Sequence, residues 1–166
     1  LLAAGLAMVQ ARGMGINFLL SVLLLVWMAD IAAYFAGRAL GQRFIKVKLA
    51  PSISPGKSWE GALGGAVGVM LMAVLWVQCD AKLQPDSLSL FSHLAQGGWA
   101  LLVLATLFLT AMSVLGDLVE SLIKRSAGVK DSSQLLPGHG GVLDRIDALV
   151  PTLPLAMMLV SSVTVI

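Results

Sequence analysis

Long apolar runs alternate with short polar connections along this chain, and four runs contain no Asp, Glu, Lys or Arg: Gly13 to Ala29, Gly61 to Cys79, Ser87 to Gly116 and Ala148 to Ile166. A helix needs roughly 20 apolar residues to cross the hydrocarbon core of a bilayer, so the pattern predicts four spans. The first eleven residues, LLAAGLAMVQA, are also apolar and lack both a basic leader and a small-residue cleavage site. They read as the end of a preceding span rather than as a signal peptide. The expected fold is all-α, a polytopic integral membrane helical bundle of about four full transmembrane helices plus the end of a preceding one. Residues 1–166 are expected to form a single transmembrane region. Because the chain starts without Met and stops inside an apolar run at Ile166, the expectation is a fragment lacking N-terminal helices.

Composition agrees with a membrane location. Hydrophobic residues make up 58% of the chain and charged residues only 12%, and the mean hydropathy is +0.91. A soluble domain of this length has no core large enough to hide that much apolar surface. The single cysteine, Cys79, excludes an internal disulfide and a thiolate metal cluster. Eight scattered Met residues fit core filling between helices.

The few basic residues are unevenly distributed. Arg38, Arg43, Lys46, Lys48 and Lys57 lie in the connection 37 to 60, and Lys124, Arg125, Lys130 and Arg145 in the connection 121 to 147. The connection 80 to 98 has only Lys82, set against Asp80 and Asp86. By the positive-inside rule the two basic connections face the cytoplasm. The outer loop, with Pro85, Asp86, Ser87 and Gly97-Gly98, reads as ordinary turn material, and His93 within it as a surface or interfacial residue.

Acidic residues inside the apolar runs need a partner or a task, because a charge at the centre of a spanning helix costs about 2.5 to 3.5 kcal/mol on insertion scales. Asp30, Ala33, Tyr34 and Gly37 share one helical face. A structural Asp bonded to a neighbouring helix and an Asp in a polar site both fit that face. Asp117, Glu120, Ser121 and Lys124 form a second polar stripe on the continuation of the third span. A Glu120–Lys124 pair explains two of them and leaves Asp117, one turn deeper, without an evident cation, which favours a functional role for it.

The connections carry the remaining chemistry. In PSISPGKSWEG, residues 51–61, Ser52, Ser54, Lys57 and Ser58 surround Pro55-Gly56 ahead of a helix rich in glycine. A helix N-terminus beside a lysine suits an anion, although the spacing is not that of a nucleotide-binding P-loop. A basic turn touching lipid headgroups is the competing reading. Asp144 and Asp147 stand at i and i+3 and so share a face. A pair of carboxylates of this kind holds a hard cation such as magnesium together with substrate phosphates, and Asp117 can add a third. His139, flanked by Gly138, Gly140 and Gly141, has no second histidine near it and suits hydrogen bonding to phosphate better than zinc ligation. Lys124, Arg125, Lys130 and Arg145 can offset polyphosphate charge. Carboxylates and cations gathered at one membrane border point to phosphoryl or nucleotidyl transfer to a lipid.

The segment Ser121 to Asp147 resembles the signature of the phosphatidate cytidylyltransferase family, S-x-x-K-R-x4-K-D-x-S-x-x-L-P-x-H-G-G-x-x-D-R-x-D. Its fixed positions are met by Ser121, Lys124, Arg125, Lys130, Asp131, Ser133, Leu136, Pro137, His139, Gly140, Gly141, Asp144, Arg145 and Asp147. Gly116-Asp117, SPGKSWEG and the stretch from Asp30 to Gly41 also resemble family elements. The resemblance implies a single transmembrane catalytic region that joins CTP to phosphatidate, giving CDP-diacylglycerol and pyrophosphate, with Mg2+ as cofactor. Mn2+ is a substitute and a second metal ion a further candidate. It assigns catalysis to Asp117, Lys124, Arg125, Lys130, Asp131, Asp144, Arg145 and Asp147, and metal ligation to Asp117, Asp144 and Asp147. Lys57, Ser58, Ser121, His139, Gly140 and Gly141 are then expected around the nucleotide. The expected partners are CTP, phosphatidic acid and membrane lipid, with a second copy of the chain as a further candidate and no nucleic acid. The expected location is a bacterial inner membrane with the site facing the cytoplasm. A CTP-dependent lipid kinase, a transporter and a non-catalytic membrane protein are the competing functions.

Overall fold

The computed structural model describes residues 1–41, 43–129, 132–133 and 141–164. Helix α1 (Leu2–Met14) leads into α2 (Ile16–Leu40), followed by a ribbon of β1 (Lys48–Ala50) and β2 (Ser54–Ser58) and then by α3 (Trp59–Leu83). A short α4 (Leu90–Gln96) precedes α5 (Trp99–Ser126), and α6 (Leu143–Ile146) turns into α7 (Leu149–Thr164). Among the described residues, four segments are long and apolar enough to cross a membrane: Ile16–Leu40, Trp59–Leu83, Trp99–Ser126 and Leu143–Val163. The protein is thus an all-α polytopic integral membrane protein, as its hydrophobic pattern predicts.

Two local differences from that pattern have clear causes. The uncharged run Ser87 to Gly116 is not one helix, because Gly98 adopts φ 102°, a left-handed value that favours glycine and separates α4 from α5. The connection 37 to 60 is not irregular throughout. Its two strands pair antiparallel, with Lys48 opposite Ser58 and Ala50 opposite Ser54.

The helices sort their faces by size. Along α3, Leu63, Val67, Leu71 and Leu75 recur every four residues, and all four are exposed, a stripe suited to lipid tails. The opposite face carries Gly61, Gly64, Gly65 and Gly68 against α2. A Cβ added at Gly65 would lie 2.8 Å from the Ala29 carbonyl oxygen, and one at Gly64 would collide with the Ala36 Cβ. Only backbones without intervening side chains pack this closely, a common solution in bilayers, where helices associate by contact rather than by escape from water. Phe18, Val22 and Leu25 of α2, Leu102 and Leu109 of α5, and Leu153 of α7 are fully or almost fully buried and fill the centre.

The end of the bundle where α2 begins and α3 finishes is closed by a polar network. Asn17 Nδ2 donates to Asp80 Oδ1 at 3.0 Å and to the Ser87 carbonyl at 2.8 Å, while Trp76 Nε1 donates to Asn17 Oδ1 at 3.0 Å. The hydroxyls of Ser89 and Ser92 each reach Asp80 Oδ2 at 2.5 Å. The loop expected to be simple turn material is therefore anchored, with Leu90, Phe91 and Leu94 inserted into the core below it. His93 is half-buried there, its ring edge-on to Phe18 at 5.8 Å. Burial lowers its pKa below the usual histidine value, an effect that the nearby Asp80 charge opposes.

Candidate functional site at the opposite end of the bundle

The C-terminal ends of α2 and α5 and the N-terminal ends of α3 and α7 meet at the other end of the bundle. Two charged groups of residues adjoin here. The first is a carboxylate cluster in which Asp117, Glu120 and Asp147 each present an oxygen within 4.8 Å of the others. Asp117 and Glu120 are one turn apart on α5, and Asp147 follows α6 directly, so the cluster depends on α5 and α7 packing closely. Gly116 permits that approach, since a Cβ there would lie 2.8 Å from both the Asp147 carbonyl oxygen and the Pro151 ring.

Lys124 organises the outer side of the cluster. Its ammonium lies 2.7 Å from Glu120 Oε2 and 2.6 Å from Asp144 Oδ1. Asp144 is further fixed by the Gly141 N–H at 2.6 Å, the Ser132 N–H at 3.0 Å and the Ser132 hydroxyl at 2.9 Å. A carboxylate with this many donors is held rigidly as an anion. The metal set expected from the sequence was Asp117, Asp144 and Asp147. The structure gathers Asp117 and Asp147 with Glu120, and engages Asp144 with Lys124, Ser132 and Gly141. From the sequence alone, Glu120 is explained by its pairing with Lys124 at i+4. That pair is present, but Glu120 Oε1 is buried with no hydrogen-bond partner among the described residues. The spacing Asp117–Glu120 was the available signal.

The second group lines a cavity of about 440 Å3 between α2, the ribbon, α3 and α5. Asp30, Ala33, Tyr34 and Gly37, the face singled out on α2, all border it, together with Arg38, Lys57, Ser58, Gly61 and Asp117. Lys57 forms an ion pair with Asp117, so the cation missing from the linear reading comes from β2. Ser58, expected near a nucleotide, borders the cavity and also caps α3, its hydroxyl accepting the Gly61 N–H at 3.1 Å. The Ser121 hydroxyl donates to Asp117 Oδ1 at 3.3 Å. Arg38 Nη1 donates to the Tyr34 hydroxyl at 3.0 Å on the exposed rim. Glu60 anchors the approach to the ribbon, its Oε1 accepting the N–H groups of Phe44 at 3.1 Å and Ile45 at 2.8 Å.

Other expected residues are more peripheral. Arg125 is exposed at the end of α5, and no ion pair joins it to a carboxylate among the described residues. Arg145 is exposed on α6. Gly141 is buried and committed to Asp144. Lys130, Asp131, His139 and Gly140 lie outside the described residues.

The model of the cytidylyltransferase family matches residues 1–163. The chain belongs to the cytidylyltransferase family. Members of this family similar to it include the phosphatidate cytidylyltransferase of Haemophilus influenzae, 49% identical over 140 residues that cover 84% of this chain and 44% of that one. The Pseudomonas aeruginosa protein of the same name is 43% identical over 150 residues, 90% of this chain and 49% of the relative. The Staphylococcus epidermidis protein, also so named, is 41% identical over 150 residues, 90% of this chain and 51% of the relative. The chain thus spans about half the length of the curated relatives it matches. Within this family member, an all-oxygen cluster with an orphaned buried Glu120 oxygen fits a hard divalent cation, which prefers carboxylate and water ligands.

Proposed function

We propose that this chain is a catalytic region that transfers the cytidylyl group of CTP to phosphatidate, giving CDP-diacylglycerol and pyrophosphate. The observation that carries the reading is the double position of Asp117, which belongs to the carboxylate cluster and also borders the cavity holding Lys57 and Arg38. Cation-binding and phosphate-binding chemistry therefore meet at one side chain, and family membership supplies the nucleotide.

In this reading a phosphatidate oxygen attacks the α-phosphorus of CTP, and the bond from that phosphorus to the oxygen bridging to the β-phosphorus breaks. Pyrophosphate leaves with those electrons. The nucleophile is already anionic, so no strong general base is required. The difficulty is bringing two anions together, and Lys57 and Arg38 reduce it by offsetting charge where the phosphates enter. Asp117, Glu120 and Asp147 would hold Mg2+, which, when bound, supplies charge neutralisation and a template for the phosphates. Asp144 acts through Lys124, fixing the ammonium beside Glu120. The excess of basic residues in the connections at this end supports a cytoplasmic site in a bacterial inner membrane.

The test uses the chain in lipid nanodiscs with CTP, phosphatidate and Mg2+. CTP labelled at the α-phosphorus should yield labelled CDP-diacylglycerol with release of pyrophosphate. Label from the γ-phosphorus appearing in lipid, with CDP as the other product, would instead identify a lipid kinase and overturn the reading.

A further inference from the structure

Lys57 pairs with a carboxylate that the acidic cluster also needs. Asp117 contributes one of the three clustered oxygens, and the same carboxyl group carries the Lys57 ammonium. A divalent ion and a lysine beside one carboxylate repel each other, and Lys57 and Asp117 are only partly exposed, so solvent screens that repulsion incompletely. Each must therefore weaken the other.

Lys57 has somewhere else to go. It lines the cavity of about 440 Å3, and its flexible four-carbon stem lets the ammonium turn without moving the strand. Gly56 precedes it with nothing within 4 Å of a notional Cβ, so the turn is uncrowded. Across the cavity, Asp30 interacts electrostatically with both Lys57 and Asp117 and keeps a positive group favourable on that side. Lys124 has no such freedom, being fixed between Glu120 and Asp144. Of the two ammonium groups paired with the cluster among the described residues, Lys57 is the displaceable one.

We infer that Lys57 is an exchangeable counter-ion of Asp117, displaced when a divalent cation binds the carboxylate cluster and thereby turned into the cavity to receive an anionic phosphate. The exchange orders the site. Cation binding creates the phosphate-binding ammonium, while Asp117 holds that ammonium back until the cation arrives. Lys57 thus competes with the ion for Asp117 and, once displaced, becomes a group that meets substrate. The inference rests on the proposed function for its phosphate, but its first half needs only the metal.

Mn2+ alone, with no nucleotide, is the probe. Binding is read by electron paramagnetic resonance on the full chain in nanodiscs. Lys57→Met should bind Mn2+ about tenfold more tightly than the unsubstituted protein, within the range of couplings between sites that compete through one group. Lys57→Arg, which can still pair with Asp117, should stay near the original affinity. Unchanged or weaker Mn2+ binding by Lys57→Met, with its melting temperature preserved, overturns the proposal. If that variant fails to fold, the unsubstituted protein decides the matter. Mass-spectrometric acylation of the Lys57 amine should rise about fivefold on saturation with Mn2+, a shift of the same coupling class, and unchanged labelling overturns the exchange. Neither readout involves turnover, so failure here is distinguishable from failure to make CDP-diacylglycerol.

Discussion

Gly116 and Asp147 touch through their backbones, and a Cβ at Gly116 would lie 2.8 Å from the Asp147 carbonyl oxygen. The absence of a side chain at one residue therefore fixes the position of a carboxylate in the turn between α6 and α7. Gly116→Val should push α7 away and open the cluster. Overpacking of this kind costs about 1–3 kcal/mol in stability, and a shift of about 1 Å at a reacting centre costs about 100-fold in rate. The expected result is a lowered melting temperature with a loss of turnover near that size. Full turnover would show that the cluster does not depend on this contact.

Asp144 and Lys124 should behave as one unit. Asp144→Asn removes the charge that holds Lys124, and Lys124→Met removes the cation that Glu120 and Asp144 share. Each change should reduce cytidylyl transfer by about 100-fold or more, the scale of losing one preorganised electrostatic contact. The double variant should be little worse than either single one. A double-mutant cycle measures this, with a coupling of about 2.7 kcal/mol expected, the upper part of the range for residues in one network. Simple additivity would mean that the two act separately.

The glycine face of α3 gives a prediction about assembly rather than chemistry. Gly65→Val places side-chain atoms where the Ala29 carbonyl now lies 2.8 Å from a notional Cβ, and it should destabilise the α2–α3 pair by about 1–3 kcal/mol. Because α2 carries Asp30, Tyr34 and Arg38 into the cavity, phosphate binding should weaken with it. Gly5→Ala, inside α1 with nothing within 4 Å of the added Cβ, is the control and should not lower the melting temperature, since alanine favours a helix over glycine.

His93 makes stability depend on pH. Its pKa is lowered by burial in the folded protein, so the unfolded chain takes up a proton more readily than the folded one. Stability from this residue is complete above about pH 6.5, the ordinary histidine value, and falls as the pH drops through the lowered folded value. Melting temperatures measured between pH 7 and pH 5 should decline, and His93→Gln should flatten part of that decline. An identical slope in the variant would assign the effect to other groups.

Much of this architecture is legible in the amino-acid order, because spanning helices announce themselves by the absence of charge. The Asp30 face is legible for the same reason: an acid in an apolar helix must point inward, and its neighbours at i+3, i+4 and i+7 border the cavity with it. Contacts between distant segments are what the linear reading lacks. Nothing in residues 51–61 reveals that Lys57 reaches Asp117, and Glu120 looks satisfied by Lys124 until Asp147 is brought beside it. The helix α4 was obscured by uncharged residues on both sides of the Gly97-Gly98 break, and Asp80 by its place among turn-forming residues. Both become intelligible only once Asn17 is seen to bond to Asp80 across 63 positions of sequence.

The Asn17–Asp80 network has a mechanical consequence. Ser89, Ser92, Asn17 and Trp76 clamp one end of the bundle through bonds of 2.5 to 3.0 Å, whereas at the opposite end, among the described residues, a ribbon and ion pairs join the helices. The same side chain of Asn17 thus ties α2 to the end of α3 and to the segment ahead of α4, so Asn17→Ala should loosen all three together rather than one at a time.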